Sequence, residues 1–199
     1  MQLSICIPTF NRLHCLENCL NSILISSKNV KDFEFEVCIS DNNSEERPDE
    51  IIKKYKDKIN IVFNRNEKNL GFALNAIKTV KLSKGKYAWL IGNDDLILPN
   101  TLSELKKIFE ENIDTDYFFI NSFYLNSSYL DNFPKPFDTN EIITKKLKKL
   151  SKFKEDKKVE FWEIIDPNVS WEFLIGIFLS IFNREAWLDG LKHINKENI

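Results

Sequence analysis

An α/β fold, with a mostly parallel sheet flanked by helices, is what this sequence predicts, and three observations predict it. Short apolar runs rich in β-branched and aromatic residues alternate with stretches whose apolar positions recur at helical spacing. Turn-forming and acidic residues gather just after several of those runs, at their expected carboxyl ends. A chain of 199 residues is long enough for one well-buried core of this kind, with a small appendage.

The elements follow in order. "LSICIP" (3–8) reads as the first strand. "RLHCLENCLNSIL" (12–24) sets Leu16, Cys19, Leu20, Ile23 and Leu24 on one helical face. "FEFEVCIS" (33–40) is a second strand, and "PDEIIKKYK" (48–56) a short helix with Pro48 near its first turn. "INIVFN" (59–64), "GFALNAIKTVKLS" (71–83) and "YAWLI" (87–91) continue as strand, helix and strand. A helix is expected over about 100 to 112, where Thr101 and Glu104 have capping-box spacing. "DYFFINSFYL" (116–125) reads as one further strand. Repeated βα units predict that Leu3–Ile7, Glu34–Ile39, Ile61–Phe63 and Tyr87–Ile91 are neighbours in one sheet. These define a core over 1–125 and a smaller region over 126–199.

In that second region "NSSYLDNFPKPFDTN" (126–140) reads as a loop. "EIITKKLKKLSKFKEDKK" (141–158) concentrates lysines around Ile143, Leu147, Leu150 and Phe153. Its pattern suits a basic amphipathic helix against anionic lipid, a solvated helix packed on the domain, or a flexible arm. "FLIGIFLSIF" (173–182) falls short of the ~20 residues that span a bilayer and reads as a buried segment.

Composition excludes several classes. With 43% hydrophobic and 29% charged residues the chain reads as an ordinary globular protein, and a net charge of -2 argues against a dedicated nucleic-acid binder. "MQLSICIPTF" lacks the pattern of a signal peptide. Cys6, Cys15, Cys19 and Cys38 sit in apolar surroundings without CxxC spacing, which predicts reduced thiols in a cytoplasmic protein. His14 and His193 form neither a triad nor a zinc signature.

The polar punctuation carries the chemistry. Ligands of open α/β sheets bind beyond the carboxyl ends of the strands. Pro8, Thr9 and Asn11 follow the first strand; Asp41, Asn42, Asn43 and Ser44 the second; Asn93, Asp94 and Asp95 the fourth. Any one cluster is an ordinary turn, but three on one edge predict a binding site. A carboxylate pair suits Mg²⁺ or Mn²⁺ holding a nucleotide diphosphate, where the ion acts as a Lewis acid towards the departing phosphate. No GxxxxGK[ST] or GxGxxG is present, so kinase, ATPase and dinucleotide readings lose their usual support.

"SICIPTFNRLHCLENCLNSIL", "FEVCISDNNSEE", "NLGFALNAI" and "GKYAWLIGNDDLILPNTL", spread in order over residues 3 to 102, together resemble the family 2 glycosyltransferases. The resemblance implies a GT-A-like, Rossmann-like sheet with a small C-terminal acceptor-side segment. It implies that Pro8, Thr9, Phe10 and Asn11 line the nucleotide site, with Asp41 and Asn42 where the family's carboxylates face base and ribose. Asn93, Asp94 and Asp95 match the metal-carrying DxD-like block. Asn42 replaces an acid of the family pattern, which leaves the base open, although an amide still hydrogen-bonds a pyrimidine edge. The block's usual first acid is replaced by Gly92 or Asn93. Adjacent residues of an extended segment point to opposite sides, so Asp94 and Asp95 share one ion only if a turn separates them. Aligning on Pro99 favours Asp94 as the ligand, with Asn93 near the ribose and Asp95 as the fallback. "NRNEKNLGFALNA" (64–76) resembles the donor-side loop and helix: Gly71 permits close backbone approach, Asn69 and Asn75 neighbour the site, and Arg65 is either phosphate-facing or solvated.

The expected activity is therefore Mn²⁺- or Mg²⁺-dependent transfer of a sugar from a nucleotide-sugar donor to a glycan or lipid-linked acceptor, in cell-surface polysaccharide synthesis. Asp94 and Asp95 serve the chemistry; Glu163, Asp166 and Glu172 are the candidates for the acceptor's base. Residues 141–158 are expected to give any contact with the inner face of the membrane. A nucleotidyltransferase and a catalytically silent sugar-nucleotide-binding module are the rivals. The chain ends early for the family, at "LKHINKENI", which predicts donor binding with weak transfer.

Overall fold

The strand–helix alternation becomes a six-stranded sheet with helices on both faces. The structure, a computed structural model, describes residues 1–142, 147–150, 155–160 and 177–193. In order these form β1 (Leu3–Thr9), α1 (Leu13–Ser27), β2 (Phe35–Asp41), α2 (Asp49–Tyr55), β3 (Ile61–Arg65), α3 (Phe72–Leu82) and β4 (Tyr87–Leu90). Then come α4 (Thr101–Glu111), β5 (Tyr117–Phe119), β6 (Phe123–Tyr124), α5 (Ser127–Leu130), β7 (Lys148–Lys149), β8 (Ser180–Asn183) and α6 (Arg184–Gly190).

The sheet order is β3-β2-β1-β4-β8-β5. The first four strands are parallel, as expected; β8 runs antiparallel between β4 and β5. Strand periodicity divides β1 between two cores. Leu3, Ile5 and Ile7 join Val37, Ile39 and Trp89 beneath α1, α2 and α4, where Leu16, Leu20, Ile23, Ile52, Leu102 and Phe109 complete the layer. Cys6, Cys38, Ala88 and Leu90 face the other way, onto Ala76 and Val80 of α3 and Trp187 of α6. Each fully buried aliphatic contributes about 1.5–3 kcal/mol. All four cysteines are free, with Cys15 alone partly exposed.

Three expectations are corrected. The run 116–125 is not one strand: β5 pairs with β8 in the main sheet, whereas β6 pairs with β7 in a separate two-stranded ribbon. The polar residues Asn121 and Ser122 interrupt the apolar run between them. Nor does 141–158 form a continuous basic helix, because Lys148–Lys149 is extended against β6 and the Leu150 N–H bonds Ser122 O. Residues 143–146 and 151–154 of that segment lie outside the described residues. The third concerns α4. No capping box forms at Thr101; Asn100 precedes the helix without a side-chain cap, and Ser26 Oγ of α1 accepts from the Leu102 N–H at 3.0 Å instead. A tertiary partner thus satisfies a helix-end donor that the local sequence was expected to satisfy. Of the apolar segment 173–182, residues 173–176 lie outside the described residues; the remainder leads into β8 inside the sheet, with Ile181 fully buried and Trp89 Nε1 donating to Phe178 O at 2.7 Å.

The amino end of the sheet is pinned by a buried carboxylate. Glu36 Oε1 accepts from Ser4 Oγ at 2.7 Å and from the Lys84 N–H at 2.6 Å, while Ser4 Oγ accepts from the Gly85 N–H at 2.8 Å. This fixes the turn that feeds β4 into place beside β1. A Cβ on Gly85 would lie 2.7 Å from Ser4 Oγ and 2.8 Å from Leu3 C, whereas one on Gly190 would meet nothing within 4 Å. Gly85→Ala is therefore expected to destabilise by about 1–3 kcal/mol through overpacking, and Gly190→Ala to stay within about 0.5 kcal/mol. Denaturant unfolding of both variants checks this; equal effects would contradict the packing argument.

Candidate functional site

Parallel pairing brings the three polar clusters to one edge. Thr9 at the end of β1 is level with Asp41 at the end of β2. β4 leaves the sheet at Leu90, opposite Cys6, so β1 runs on past it and leaves a notch. That notch lies where the connections diverge, α1 leading to β2 on one side of β1 and α3 to β4 on the other: the topological switch point of an open α/β sheet. Asn93 Nδ2 closes across it to Thr9 Oγ1 at 2.8 Å. On the other side the Asn42 N–H bonds Thr9 O at 2.9 Å and the Asn11 N–H bonds Ser44 Oγ at 2.9 Å. Asn11 and Asn43 take positive φ, 52° and 66°, a region asparagine visits more readily than most residues. Pro8 is buried within β1, and Phe10 is exposed at the mouth.

The loop after β2 is organised by a buried ion pair. Asp41 is fully enclosed, and its carboxylate accepts from Arg65, Ser44 Oγ and the Ser44 N–H. Arg65 also donates to Asn43 Oδ1 at 3.1 Å and to Ser44 O at 2.7 Å, so its guanidinium braces residues 41–44.

Asn42 and Asn75 are buried and face a shared amide network. Asn42 Nδ2 donates to Asn69 Oδ1 at 2.7 Å and Gly71 O at 3.2 Å; its Oδ1 accepts from Asn66 Nδ2 at 3.1 Å and the Leu70 N–H at 2.8 Å. Asn75 Oδ1 accepts from Ser40 Oγ and Asn66 Nδ2, and its Nδ2 donates to Ser40 O. These bonds shape residues 66–71 into the loop that opens α3. Gly71 sits at φ +81° with nothing within 4 Å of where a Cβ would be, so its backbone faces open space in a conformation that favours glycine.

The acidic pair lies on a turn. The Asp95 N–H bonds Gly92 O at 3.2 Å, and Asp95 Oδ2 accepts from the Gly92 N–H at 2.7 Å. This supplies the turn that adjacent acids need to share one ion. A Cβ on Gly92 would lie 2.6 Å from Asp94 Oδ1 and 3.1 Å from Asp95 Oδ2. Both carboxylates therefore converge on a space that only glycine leaves open. Asp94 has a side chain 53% exposed and places Oδ2 2.7 Å from Arg12 Nη1. Burial pushes the Asp95 carboxyl up to about 6; the Gly92 N–H opposes that rise and the Asp94 charge adds to it. Two converging hard oxygen donors with an open side fit Mg²⁺ or Mn²⁺ bound jointly to phosphate. Among the described residues no group of three or more His, Cys, Asp or Glu could hold an ion alone, so substrate and water oxygens would complete the shell.

Comparison with known proteins decides the family. The model for "Glycosyl transferase family 2" matches residues 4–162. The chain belongs to glycosyl transferase family 2. It is 36% identical over 116 residues to the abequosyltransferase RfbV of Salmonella typhimurium, covering 57% of this chain and 34% of that protein. It is 35% identical over 141 residues to the uncharacterized glycosyltransferase MJ1057 of Methanocaldococcus jannaschii, covering 70% of this chain and 44% of that protein. The chain thus spans less than half the length of these curated relatives. Among solved structures, Staphylococcus aureus TarS 1–349 in complex with UDP-GlcNAc matches with a TM-score of 0.57 at 26% identity, over 64% of this chain and 36% of that one. The mostly parallel sheet flanked by helices is the GT-A fold of that family.

For this family 2 chain, then, the fold assembles Thr9, Asn11, Asp41, Asn42, Gly71, Asn75, Asn93, Asp94 and Asp95 along one edge. Glu163, Asp166 and Glu172 lie outside the described residues. Two contributors escaped the sequence reading. Asn66 is the buried hub between Asn42 and Asn75, and the density of Asn over 64–75 was its only signal. Arg12 is the partner of Asp94, signalled only by its place next to Asn11.

Arg65→Met is expected to destabilise by about 3 kcal/mol, because it leaves the Asp41 carboxylate buried without its cation. Adding Asp41→Asn to that variant should recover part of the loss. Urea unfolding of the single and double variants measures it, and no recovery in the double variant would refute the ion-pair account.

Proposed function

We propose that this chain carries the donor-binding part of a metal-dependent glycosyltransferase, which moves a sugar from a nucleotide-diphosphate-sugar donor to a hydroxyl of a glycan or lipid-linked acceptor in cell-surface polysaccharide synthesis. The observation that carries this reading is the convergence of Asp94 and Asp95 over Gly92, beside the Thr9–Asn93 link at the switch point. Family membership supports it, as does the likeness to TarS, whose structures were solved with UDP and with UDP-GlcNAc.

In this reading Pro8, Thr9, Phe10 and Asn11 form one wall of the nucleotide pocket, and the loop braced by Asp41 and Arg65 forms another. Asn42 and Asn75 act by shaping residues 66–71, so that the Gly71 backbone can approach the donor. Asn93 turns to the ribose side of the notch. A bound Mn²⁺ or Mg²⁺ supplies Lewis-acid stabilisation of the departing nucleoside diphosphate. Asp94 would be the principal ligand of that ion and Asp95 the second, its role as acceptor of the Gly92 N–H limiting its reach. The acceptor's proton goes to a carboxylate sought among Glu163, Asp166 and Glu172. The lysines of 141–158 are offered to the inner face of the membrane from a cytoplasmic location; Lys148 and Lys149 are exposed, and no described helix is long and apolar enough to cross a bilayer.

Titration calorimetry with nucleoside diphosphates tests the site. Binding should tighten in the presence of Mn²⁺ or Mg²⁺. Asp94→Asn should remove about tenfold or more of that metal-dependent gain, ~1.4 kcal/mol, and Asp95→Asn less. An unchanged gain in Asp94→Asn refutes the ligand assignment. Release of nucleoside diphosphate during turnover supports sugar transfer, whereas release of pyrophosphate means nucleotidyl transfer, and donor binding without any turnover means a silent module.

A further inference from the structure

Two arginines reach the edge where the polar clusters meet, and they are held differently. Arg65 spends its guanidinium on Asp41, Asn43 and Ser44 O, all within the scaffold. Arg12 has a side chain 57% exposed and, among the described residues, a single hydrogen bond, from Nη1 to Asp94 Oδ2 at 2.7 Å. A guanidinium carries five N–H donors in a rigid fork, so this contact leaves most of the fork facing solvent at the mouth of the notch. The electrostatics are unbalanced as well. Arg12 is the cation seen bonded to a turn that carries two carboxylates converging over Gly92. A divalent cation arriving alone must compete with the guanidinium for Asp94 and sits beside a like charge. A cation arriving with a diphosphate brings the anion that an arginine fork binds best, through two parallel N–H···O bonds.

We propose that Arg12 is the resident counter-ion of this site: it pairs with Asp94 in the absence of a divalent cation, and turns its guanidinium to the donor's diphosphate when the cation takes Asp94. The inference rests on the metal-dependent nucleotide-sugar reading of the same turn. It gives the site an order. Arg12 opposes the ion alone and favours the ion together with diphosphate, so the two ligands bind cooperatively, and by linkage each raises the other's affinity by the same factor.

The experiment is Mn²⁺ binding to the full chain, read from the electron paramagnetic resonance signal of free Mn²⁺. It compares the unmodified protein with Arg12→Gln and Arg12→Lys, each alone and with the tightest binder among UDP, CDP, GDP and TDP. Arg12→Gln is expected to bind Mn²⁺ alone about two- to five-fold more tightly, the range released by removing an exposed ion pair. The enhancement of Mn²⁺ affinity by the nucleoside diphosphate should shrink in that variant, and Arg12→Lys should fall between, keeping the charge without the fork. If Arg12→Gln binds Mn²⁺ alone no more tightly, or keeps the full enhancement by nucleoside diphosphate, the counter-ion proposal is overturned while the metal site stands. If no form binds Mn²⁺ with any of the four diphosphates, the metal-dependent reading fails and takes this proposal with it.

Discussion

Every feature of the candidate site depends on β1 being paired on both edges and buried on both faces. All seven of its residues are buried, β2 runs parallel along one side and β4 along the other. A strand so placed has no freedom to slip, because a shift of one residue would exchange the Leu3–Ile5–Ile7 set with Ser4–Cys6–Pro8 across the sheet. The register therefore fixes Thr9 level with Asp41 and lets β1 outrun β4, which creates the notch that the Gly92–Asp95 turn occupies. Geometry at the carboxyl edge is thus set by apolar packing far below it.

The loops on that edge cannot be held in the same way, since they pair few backbone groups with one another. Side-chain amides and one ion pair take over. Asn42, Asn66 and Asn75 satisfy each other and the chain at Ser40, Leu70 and Gly71, and Arg65 neutralises Asp41 while tying down Ser44. Buried polar networks of this kind are rigid when every member has a partner and costly when one is missing. They suit a site whose walls must keep their shape before a ligand arrives. Asp94, Arg12, Phe10 and Gly71, by contrast, are exposed on that edge.

Much of this was legible in the residues. The parallel core followed from alternating periodicities, and the clusters after the first, second and fourth strands pointed to one edge because parallel strands end together. Which partner each polar side chain takes was not legible, since an Asn in a loop looks the same whether it braces the loop or faces a ligand. Arg65 shows the difficulty: from sequence it was phosphate-facing or solvated, and only the burial of Asp41 revealed a third use. The turn that Asp94 and Asp95 need in order to act together rests on the Gly92 N–H bonding Asp95 Oδ2 and the Asp95 N–H bonding Gly92 O, pairings that the run Gly-Asn-Asp-Asp permits but does not specify. The segment 116–125 failed for another reason: its composition suits a strand throughout, but β8 and β7, distant in sequence, capture its two halves in different sheets.

The acidic turn also shows how the fold and the chemistry pull against each other. Burial lifts the Asp95 carboxyl, so keeping it charged costs the folded state something, and Asp94 beside it adds to that cost. Two devices contain it without removing it. The Gly92 N–H stabilises one carboxylate from within the turn, and Arg12 screens the other from outside. Neither closes the space above Gly92, where a side chain on that residue would collide with both acids. A fold selected only for stability would fill that space or neutralise the pair with a buried cation, as it does with Arg65 at Asp41. The two acidic positions thus differ in their arginines: Arg65 seals Asp41 inside the scaffold, whereas Arg12 pairs with Asp94 and leaves its carboxylate half exposed.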